Sequence, residues 1–464
     1  MTDGTFIDDK RIFDLLNAPD LRDAARQREV LDKSRTRERL TLEDVAVLLG
    51  ISDPDMRKEI HQTARAVKRE IYGNRLVFFA PLYVTNRCVN NCLYCSFRRE
   101  NEELERATLT QEQVRRETLA LLEQGHKRLL LVAGEHPKES SIAYIGECVK
   151  TIYETWWEGN NIRRVNVNAA PLSVEDFRAL HSFGIGTYQC FQETYHRETY
   201  AHVHPSGKKR DFDWRVTAMH RAMEAGIDDV GIGVLYGLYD YRFETLAMMQ
   251  HIFELERAYD GVGPHTISVP RLEPALHAPL DSTNSPWTVA DDDFRTLIAV
   301  LRLAVPYTGM ILSTRESAEI RRTLFDVGIS QISAGSRTDP GGYESEDHAL
   351  GEQFQLGDHR PMDEVVKDVL ALGYLPSFCT ACYRSGRTGD RFMELAKGGT
   401  IGRICAPNAL ATFEEYVNDF GDAEMREAAD TMITHELEEM SDKARAMAER
   451  MIKQIDDGEK DVFV

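Results

Sequence analysis

The apolar run Leu76-Val-Phe-Phe-Ala-Pro-Leu-Tyr-Val84 is followed, after Thr85-Asn-Arg87, by Cys88-Val-Asn-Asn-Cys92-Leu-Tyr-Cys95. The first part has the length and composition of a buried strand. The second is spaced C-x3-C-x2-C. Three thiolates so close together can hold three irons of a 4Fe–4S cube. The fourth iron then has no protein ligand and is open to a small molecule. A zinc knuckle competes with this reading, but structural zinc usually takes four ligands, often from two C-x2-C pairs.

Working outward, Leu76–Val84 is the first of eight short apolar runs. The others are Arg128–Ala133, Arg164–Asn168, Thr187–Phe191, Asp229–Leu235, His265–Pro270, Gly309–Ser313 and Ile329–Ser333. Helical patterns lie between them at Thr110–Glu123, Ser173–Phe183, Trp214–Ala225, Glu244–Tyr259, Val289–Val305 and Glu316–Val327. Strands alternating with helices imply a parallel sheet, and eight units imply a closed α/β barrel of the (β/α)8 TIM type. An open doubly wound sheet is the alternative, weakened slightly by the absence of a G-x-G-x-x-G turn.

Residues 1–75 read as an N-terminal helical extension that carries no chemistry, with Thr41 capping one helix and Met56–Tyr72 forming another. The barrel spans 76–340, and its pattern stops after Pro340-Gly-Gly342. Residues 341–464 read as a mostly helical C-terminal domain, which carries a second group of cysteines. It opens on the acidic loop Tyr343–His348, continues with a helix at Met362–Leu372, and has helical spacing over Leu410–Phe420 and Met425–Gln454. Its last residues, Ile455–Val464, read as loosely ordered.

The net charge of -20 argues against a nucleic-acid surface. No run reaches the ~18 apolar residues of a membrane span, and the opening residues lack a secretory signal. Six of the eight cysteines fall in two groups, which suggests metal sites in a reducing, cytoplasmic setting rather than disulfides.

Barrel chemistry gathers where strands end, and each candidate strand ends in polar residues: Gly134-Glu135, Asn168, Glu193, Ser313-Thr-Arg315 and Ser333-Ala-Gly-Ser336 among them. The Cys88–Cys95 motif, with Tyr94 before its last cysteine, resembles the radical S-adenosylmethionine (SAM) superfamily. The resemblance implies SAM on the open iron and a 5′-deoxyadenosyl radical. It also matches Gly134-Glu135 to the strand-two motif that receives the SAM amino group, and makes Asn168, Glu193 and Arg215 candidates for its ribose and carboxylate. An amino-acid substrate would need a clamp for its carboxylate, and Arg315 with Ser313 and Ser336 is placed to supply one. Arg321, Arg322 and Arg337 compete for that role, and a salt bridge from Arg315 to Glu316 or Glu319 is the plainer alternative.

Cys379-Thr-Ala-Cys382 and Cys405 form a second trio, C-x2-C-x22-C, again one thiolate short of a closed tetrahedral site. A lone histidine such as His265 is more often structural, but this trio makes it a candidate ligand. Both Cys motifs, Pro264–Arg271, Ile332–Thr338 and Cys379–Met393 together resemble the radical SAM tyrosine lyases that mature FeFe-hydrogenase. The related thiamine-pathway 2-iminoacetate synthases lack the second trio.

The resemblance implies cleavage of the Cα–Cβ bond of L-tyrosine at the first cluster, giving p-cresol and dehydroglycine. The fragment would travel through the barrel to a second 4Fe–4S cluster on Cys379, Cys382 and Cys405. There CO and cyanide would form on an extra iron that free cysteine bridges to the cluster and His265 ligates. An electron donor and other maturation proteins would be partners. The competing functions are a single-reaction 2-iminoacetate synthase and a non-catalytic iron–sulfur carrier.

Overall fold

The computed structural model describes residues 4–344, 351–398 and 401–464. Eight parallel strands form its centre: β1 Arg75–Thr85, β2 Arg128–Ala133, β3 Arg164–Asn168, β4 Tyr188–Gln189, β5 Val230–Gly233, β6 Thr266–Ser268, β7 Gly309–Leu312 and β8 Gln331–Ser333. Each pairs with the next, and β8 returns to β1 with Phe78 opposite Ile332. The sheet is therefore closed, and the (β/α)8 expectation holds over the open-sheet alternative.

Strand alternation sorts the side chains. On β1, Leu76, Phe78, Ala80, Leu82 and Val84 join the main core outside the barrel, while Val77, Phe79, Pro81 and Tyr83 line cavities inside it. On β2 the outward residues are Leu129 and Leu131, and the inward ones are Arg128, Leu130 and Val132. β3 places Val165 and Val167 in the core and Arg164 and Asn168 on cavities. An apolar run with polar residues at alternate positions is what a strand facing both a helical coat and a working interior requires.

Within the barrel, the periodicity reading missed the helices Ile142–Tyr153 and Arg197–Val203. The first has an ordinary start signal, since the Ser141 side chain accepts from Tyr144 N. The expected helix Trp214–Ala225 is two pieces, Phe212–Val216 and Ala218–Glu224, broken at Thr217. In the N-terminal region Thr41 forms a reciprocal capping box with Asp44, and Pro54–Tyr72 packs along Asp291–Ala304.

Beyond the barrel, Met362–Ala371 runs through Gly373, at φ 78°, into a ninth strand, β9, Leu375–Ser377. The closed barrel ends with β8, but the sheet gains a further strand beyond Gly342 that was not expected. β9 pairs in parallel with the start of β1, so that Val77 faces Gln331 on one side and Ser377 on the other. Three residues that include Pro376 give almost no strand signal, and proline is tolerated because this is an edge. Of the acidic loop Tyr343–His348, only Tyr343 and Glu344 lie within the described residues; Glu117 accepts both of their backbone N–H groups.

The C-terminal helices are Gly402–Phe420, Ala423–Glu439 and Asp442–Asp456, so the pattern over Met425–Gln454 is two helices split at Met440-Ser441. The tail is not loose. Asp461 pairs with Arg163 at 3.1 Å and Arg384 at 2.5 Å, and its N–H donates to Glu415. Val464 N donates to Asn408 Oδ1 at 3.0 Å. The buried Arg163, Lys127 and Glu415 beneath it need these partners, which is why a polar-looking tail is ordered.

His126 is fully buried, and burial pushes its pKa down to about 3. The unfolded chain binds a proton there near pH 6.5 while the native state does not, so stability falls as pH drops below that value. Replacing His126 with Leu should flatten the acid limb of denaturant midpoints measured from pH 7 to 5; an unchanged slope would exclude this group as its source.

Candidate active site

The strand ends that carry the Cys88–Cys95 loop surround a cavity of ≈ 1380 Å³, open mouth included. Cys88, Cys92 and Cys95 all line it, with Tyr94, Gly134, Glu135, Asn168, Glu193, Arg215, Ser313, Arg315 and Ser336. The structure thus brings together at one rim every residue expected there. The thiol loop is held from several sides. Val89 N donates to Glu135 O at 2.8 Å, Asn90 Nδ2 to Glu135 Oε2 at 2.6 Å, and Leu93 N to Val203 O at 3.0 Å. A Cβ on Gly134 would lie 2.6 Å from the Arg87 carbonyl oxygen, so glycine is required for this approach. The Glu135 carbonyl accepts from Val89, one of the two hydrogen bonds a carbonyl oxygen can take.

Glu193 sits just past β4 with φ 72°, a left-handed conformation that costs a non-glycine residue energy and is sustained only by its surroundings. Those surroundings are two cations. Lys209 Nζ lies 2.6 Å from Glu193 Oε1, and Arg215 Nη2 lies 3.6 Å from it. Burial alone would raise the Glu193 pKa, but Lys209 and then Arg215 hold it below the usual range. Arg215 is no surface residue: its Nε donates to the Phe191 carbonyl at 2.8 Å. Sequence reasoning missed Lys209. It follows Gly207 in a loop whose fold depends on Asn90, which accepts from Lys209 N at 2.8 Å, and no local motif marks it.

Arg315 enters the same cavity with its guanidinium 3.2 Å from the centre of the Phe354 ring. The salt bridge to Glu316 does not form, because Arg271 takes Glu316 in two contacts, at 2.8 and 2.5 Å. Arg321 is buried against Asp358, and Arg322 pairs with Asp368. Arg315 is left facing the cavity with no carboxylate partner among the described residues. Ser336 Oγ and Gln189 Oε1, both on the lining, are buried without a hydrogen-bond partner. Such atoms mark places for ligand polar groups.

A second cavity, ≈ 610 Å³, lies at the other end of the strands. Cys379 follows β9, Cys382 is in the turn of helix Ala381–Arg384, and Cys405 is in the first turn of Gly402–Phe420. All three line it, with His265. His265 Nδ1 is 3.4 Å from Asp229 Oδ1, and its ring lies 4.4 Å from that of Phe392. Burial pushes its pKa down to about 4, so it is a neutral imidazole at pH 7, the form that ligates metals. Cys382 is pulled down by a hydrogen bond from Cys405 and by Arg387. Tyr72, from the N-terminal helices, also lines this cavity, so that region is not wholly without a part in the site. Arg75, Arg128, Arg164 and Gln331 were not anticipated; they open their strands, at the end opposite to the one barrel chemistry favours.

Among the described residues, no group of three or more His, Cys, Asp or Glu side chains is placed to hold a single metal ion. Three thiols that share a cavity suit a cluster, in which each binds a different iron.

Inside the barrel the two cavities are one layer of side chains apart. Val77, Arg128, Gly309 and Gln331 line the second, and Phe79, Leu130, Ile311 and Ser333, two residues further along the same strands, line the first. Phe79, Leu130 and Ile311 pack together as the partition.

The Radical SAM superfamily model matches residues 82–255, and the model of the Biotin and Thiamin Synthesis associated domain matches 268–375. The 2-iminoacetate synthase of Escherichia coli is 32% identical over 348 residues, 75% of this chain and 89% of that protein. Two solved structures are similar over nearly everything. HydG, a maturase of the [FeFe]-hydrogenase, is 50% identical with a TM-score of 0.95, covering 99% of this chain and 100% of that one. The FeFe-hydrogenase maturase HydG from Carboxydothermus hydrogenoformans is 39% identical with a TM-score of 0.85, over 97% and 100%.

Replacing Lys209 with Met should destabilise the protein by about 3 kcal/mol, since it strands the buried Glu193 charge. Urea unfolding at pH 7 would show it. A loss much below 1 kcal/mol would mean that Arg215 alone can hold Glu193.

Proposed function

The chain belongs to the radical SAM superfamily, in the branch shared by 2-iminoacetate synthases and FeFe-hydrogenase maturases, and from that premise we propose that it cleaves L-tyrosine and converts the released fragment to CO and cyanide for the FeFe-hydrogenase active site. The observation that carries this over thiamine-type synthesis is the second cavity, with Cys379, Cys382, Cys405 and His265 together at the far end of the barrel. The likeness to the maturase structures runs through that region, whereas the synthase aligns with 75% of the chain.

A 4Fe–4S cluster on Cys88, Cys92 and Cys95, with SAM on its open iron, would supply the radical that starts the reaction. The protein's own part is to bind, orient and enclose. Glu193, kept ionised by Lys209 and Arg215, is a hydrogen-bond acceptor for the SAM ribose. Asn168 lies beside it on the rim, and Gly134 allows backbone to approach the amino group. Arg315 holds the tyrosine carboxylate, its plane fixed against Phe354, with the unpartnered Ser336 hydroxyl and Ser313 nearby. The buried walls Phe79, Tyr83, Leu130 and Ile311 exclude water from the reacting atoms. The products are p-cresol, which leaves, and dehydroglycine.

Dehydroglycine passes the partition into the second cavity. There Cys379, Cys382 and Cys405 would hold a second 4Fe–4S cluster. His265, whose neutral ring lies 3.4 Å from Asp229, would bind the extra iron that is the cargo of the reaction, with free cysteine as a further ligand. In this reading residues 1–75 brace the barrel of 76–340, and 341–464 close its lower end. An electron donor and the other maturation proteins are partners, in the reducing cytoplasm that two thiol trios need. No helix among the described residues is long and apolar enough to cross a membrane.

Anaerobic turnover with SAM, dithionite and tyrosine tests the reading directly. Cys379→Ala should still release p-cresol but form no CO, and CO from that variant would refute the second-site role. Leu130→Trp, which thickens the partition, should lower CO relative to p-cresol; parallel loss of both products would dismiss the passage. Arg315→Leu should raise the KM for tyrosine about 100-fold, the worth of one charge-assisted pair. An unchanged KM would remove Arg315 from the clamp.

A further inference from the structure

Residues beyond the closed barrel also reach its upper end, where Gln353 and Phe354 line the first cavity. Gln353 N donates to the Thr338 carbonyl at 3.1 Å, Gln355 N to that of Pro274 at 2.8 Å, and Gly357 N to that of Thr314 at 2.9 Å. This segment is thereby tied to the loops after β6, β7 and β8. It also meets the thiol loop, since Ser96 N donates to the Gln353 carbonyl at 3.2 Å and Ser96 Oγ to the Glu352 carbonyl. The Gln353 side chain turns back toward the same loop. Its Nε2 lies 3.6 Å from Cys95 Sγ, and its Oε1 accepts from the Tyr83 hydroxyl at 2.8 Å.

The plain explanation is that Gln353 is there for Tyr83, a buried β1 residue whose hydroxyl needs an acceptor. An acceptor alone would serve that end. The amide brings donors as well, and Tyr83 engages its oxygen, which leaves the nitrogen facing Cys95. A thiolate that binds iron has no proton to give, so this contact runs one way, from N–H to sulfur. The other two thiols of the loop are served differently. Asn90 Nδ2 is 3.6 Å from Cys88 Sγ but only 2.6 Å from Glu135 Oε2, so its stronger bond goes elsewhere. Cys92 is buried, and among the described residues no side-chain donor reaches its sulfur.

We propose that Gln353 is a positioning residue for the first cluster, which donates to the Cys95 sulfur and holds the cluster's reduction potential up. The proposal rests on the first cluster of the preceding reading. A hydrogen bond to a ligand sulfur draws electron density from the iron and favours the reduced, more negative state. The radical chemistry draws on that reduced state, so a potential within reach of a cellular donor is a functional requirement. Tyr83 fixes the amide so that its N–H end stays on the sulfur. The next residue, Phe354, carries the Arg315 guanidinium on its ring. One segment therefore braces both the cluster side and the substrate side of the cavity.

The test uses the anaerobically reconstituted holoenzyme, poised at graded potentials with dithionite and mediator dyes and read by EPR. The first cluster is the one whose signal changes when SAM is added. Gln353→Met keeps the length of the side chain and removes the amide. Its first cluster should reach half reduction at a potential lower by about 59 mV, a tenfold change in the ratio of oxidised to reduced cluster at fixed potential. That is the low end of what a hydrogen bond to a charged group contributes. The second cluster should not move, and the iron content should be that of the wild type. Should Gln353→Met fail to take up iron, Gln353→Asn, whose amide is withdrawn by one methylene, is read in the same way for a smaller shift of the same sign. A first-cluster potential at or above that of the wild type in the loaded variant overturns the proposal. An equal shift of both clusters overturns it too, since that would report a general change of structure. Wild-type protein with no SAM-sensitive signal would be a different failure: it would sink the first-cluster reading, and the role of Gln353 with it.

Discussion

Strand β1 has more to do than any other element. Its eleven residues pair with three strands: β2 along the upper half, β8 at Val77–Phe79, and β9 at Arg75–Val77. The β8 pairing closes the barrel and so creates an interior. The β9 pairing draws the C-terminal region under the barrel and sets Cys379 two residues past the edge. The loop after β1 carries Cys88–Cys95. One strand therefore fixes the position of both thiol trios, and its length, about twice that of an average strand, sets their separation.

Closure makes the interior a place where charge is expensive, and the molecule answers with pairings of different completeness. Some buried ions are fully matched: Glu316 by Arg271, Asp358 by Arg321 and Arg360, and Glu415 by Arg163 and Lys127. These sit away from the cavities and hold elements together. At the cavities the matching is deliberately partial. Arg315 has a ring but no acid, Arg128 has carbonyl and amide oxygens but no acid, and Ser336 has no partner at all. Glu193 is matched, but only in a backbone conformation that its two cations must sustain. Unfinished pairing marks the places where ligands complete the electrostatics.

The barrel was legible because its strands are apolar runs spaced by helices, and the two thiol trios were legible because cysteine spacing is local. His265 could be suspected only beside the second trio, since nothing around it in sequence singles it out. What stayed hidden depends on distant contacts. β9 is three residues with a proline, stabilised by an edge that belongs to β1. Lys209 matters because Glu193 turns toward it. Arg128 and Arg164 looked like ordinary strand starts, and only closure turns them inward to face Cys379 and His265. The tail read as loose because its charges resemble a solvated end. Its partners, Arg163, Arg384 and Asn408, are remote in sequence.

The thin partition of Phe79, Leu130 and Ile311 has a kinetic meaning. One molecule confined to a cavity of ≈ 610 Å³ is present at an effective concentration on the order of molar. A fragment that crossed the layer, as proposed above, would meet the second site at a level no cell could maintain in bulk. Tight binding there would then not be needed to capture it. The fragment's lifetime would need only to exceed the time to diffuse through a single shell of side chains, so confinement rather than tight binding would outrun hydrolysis in bulk water.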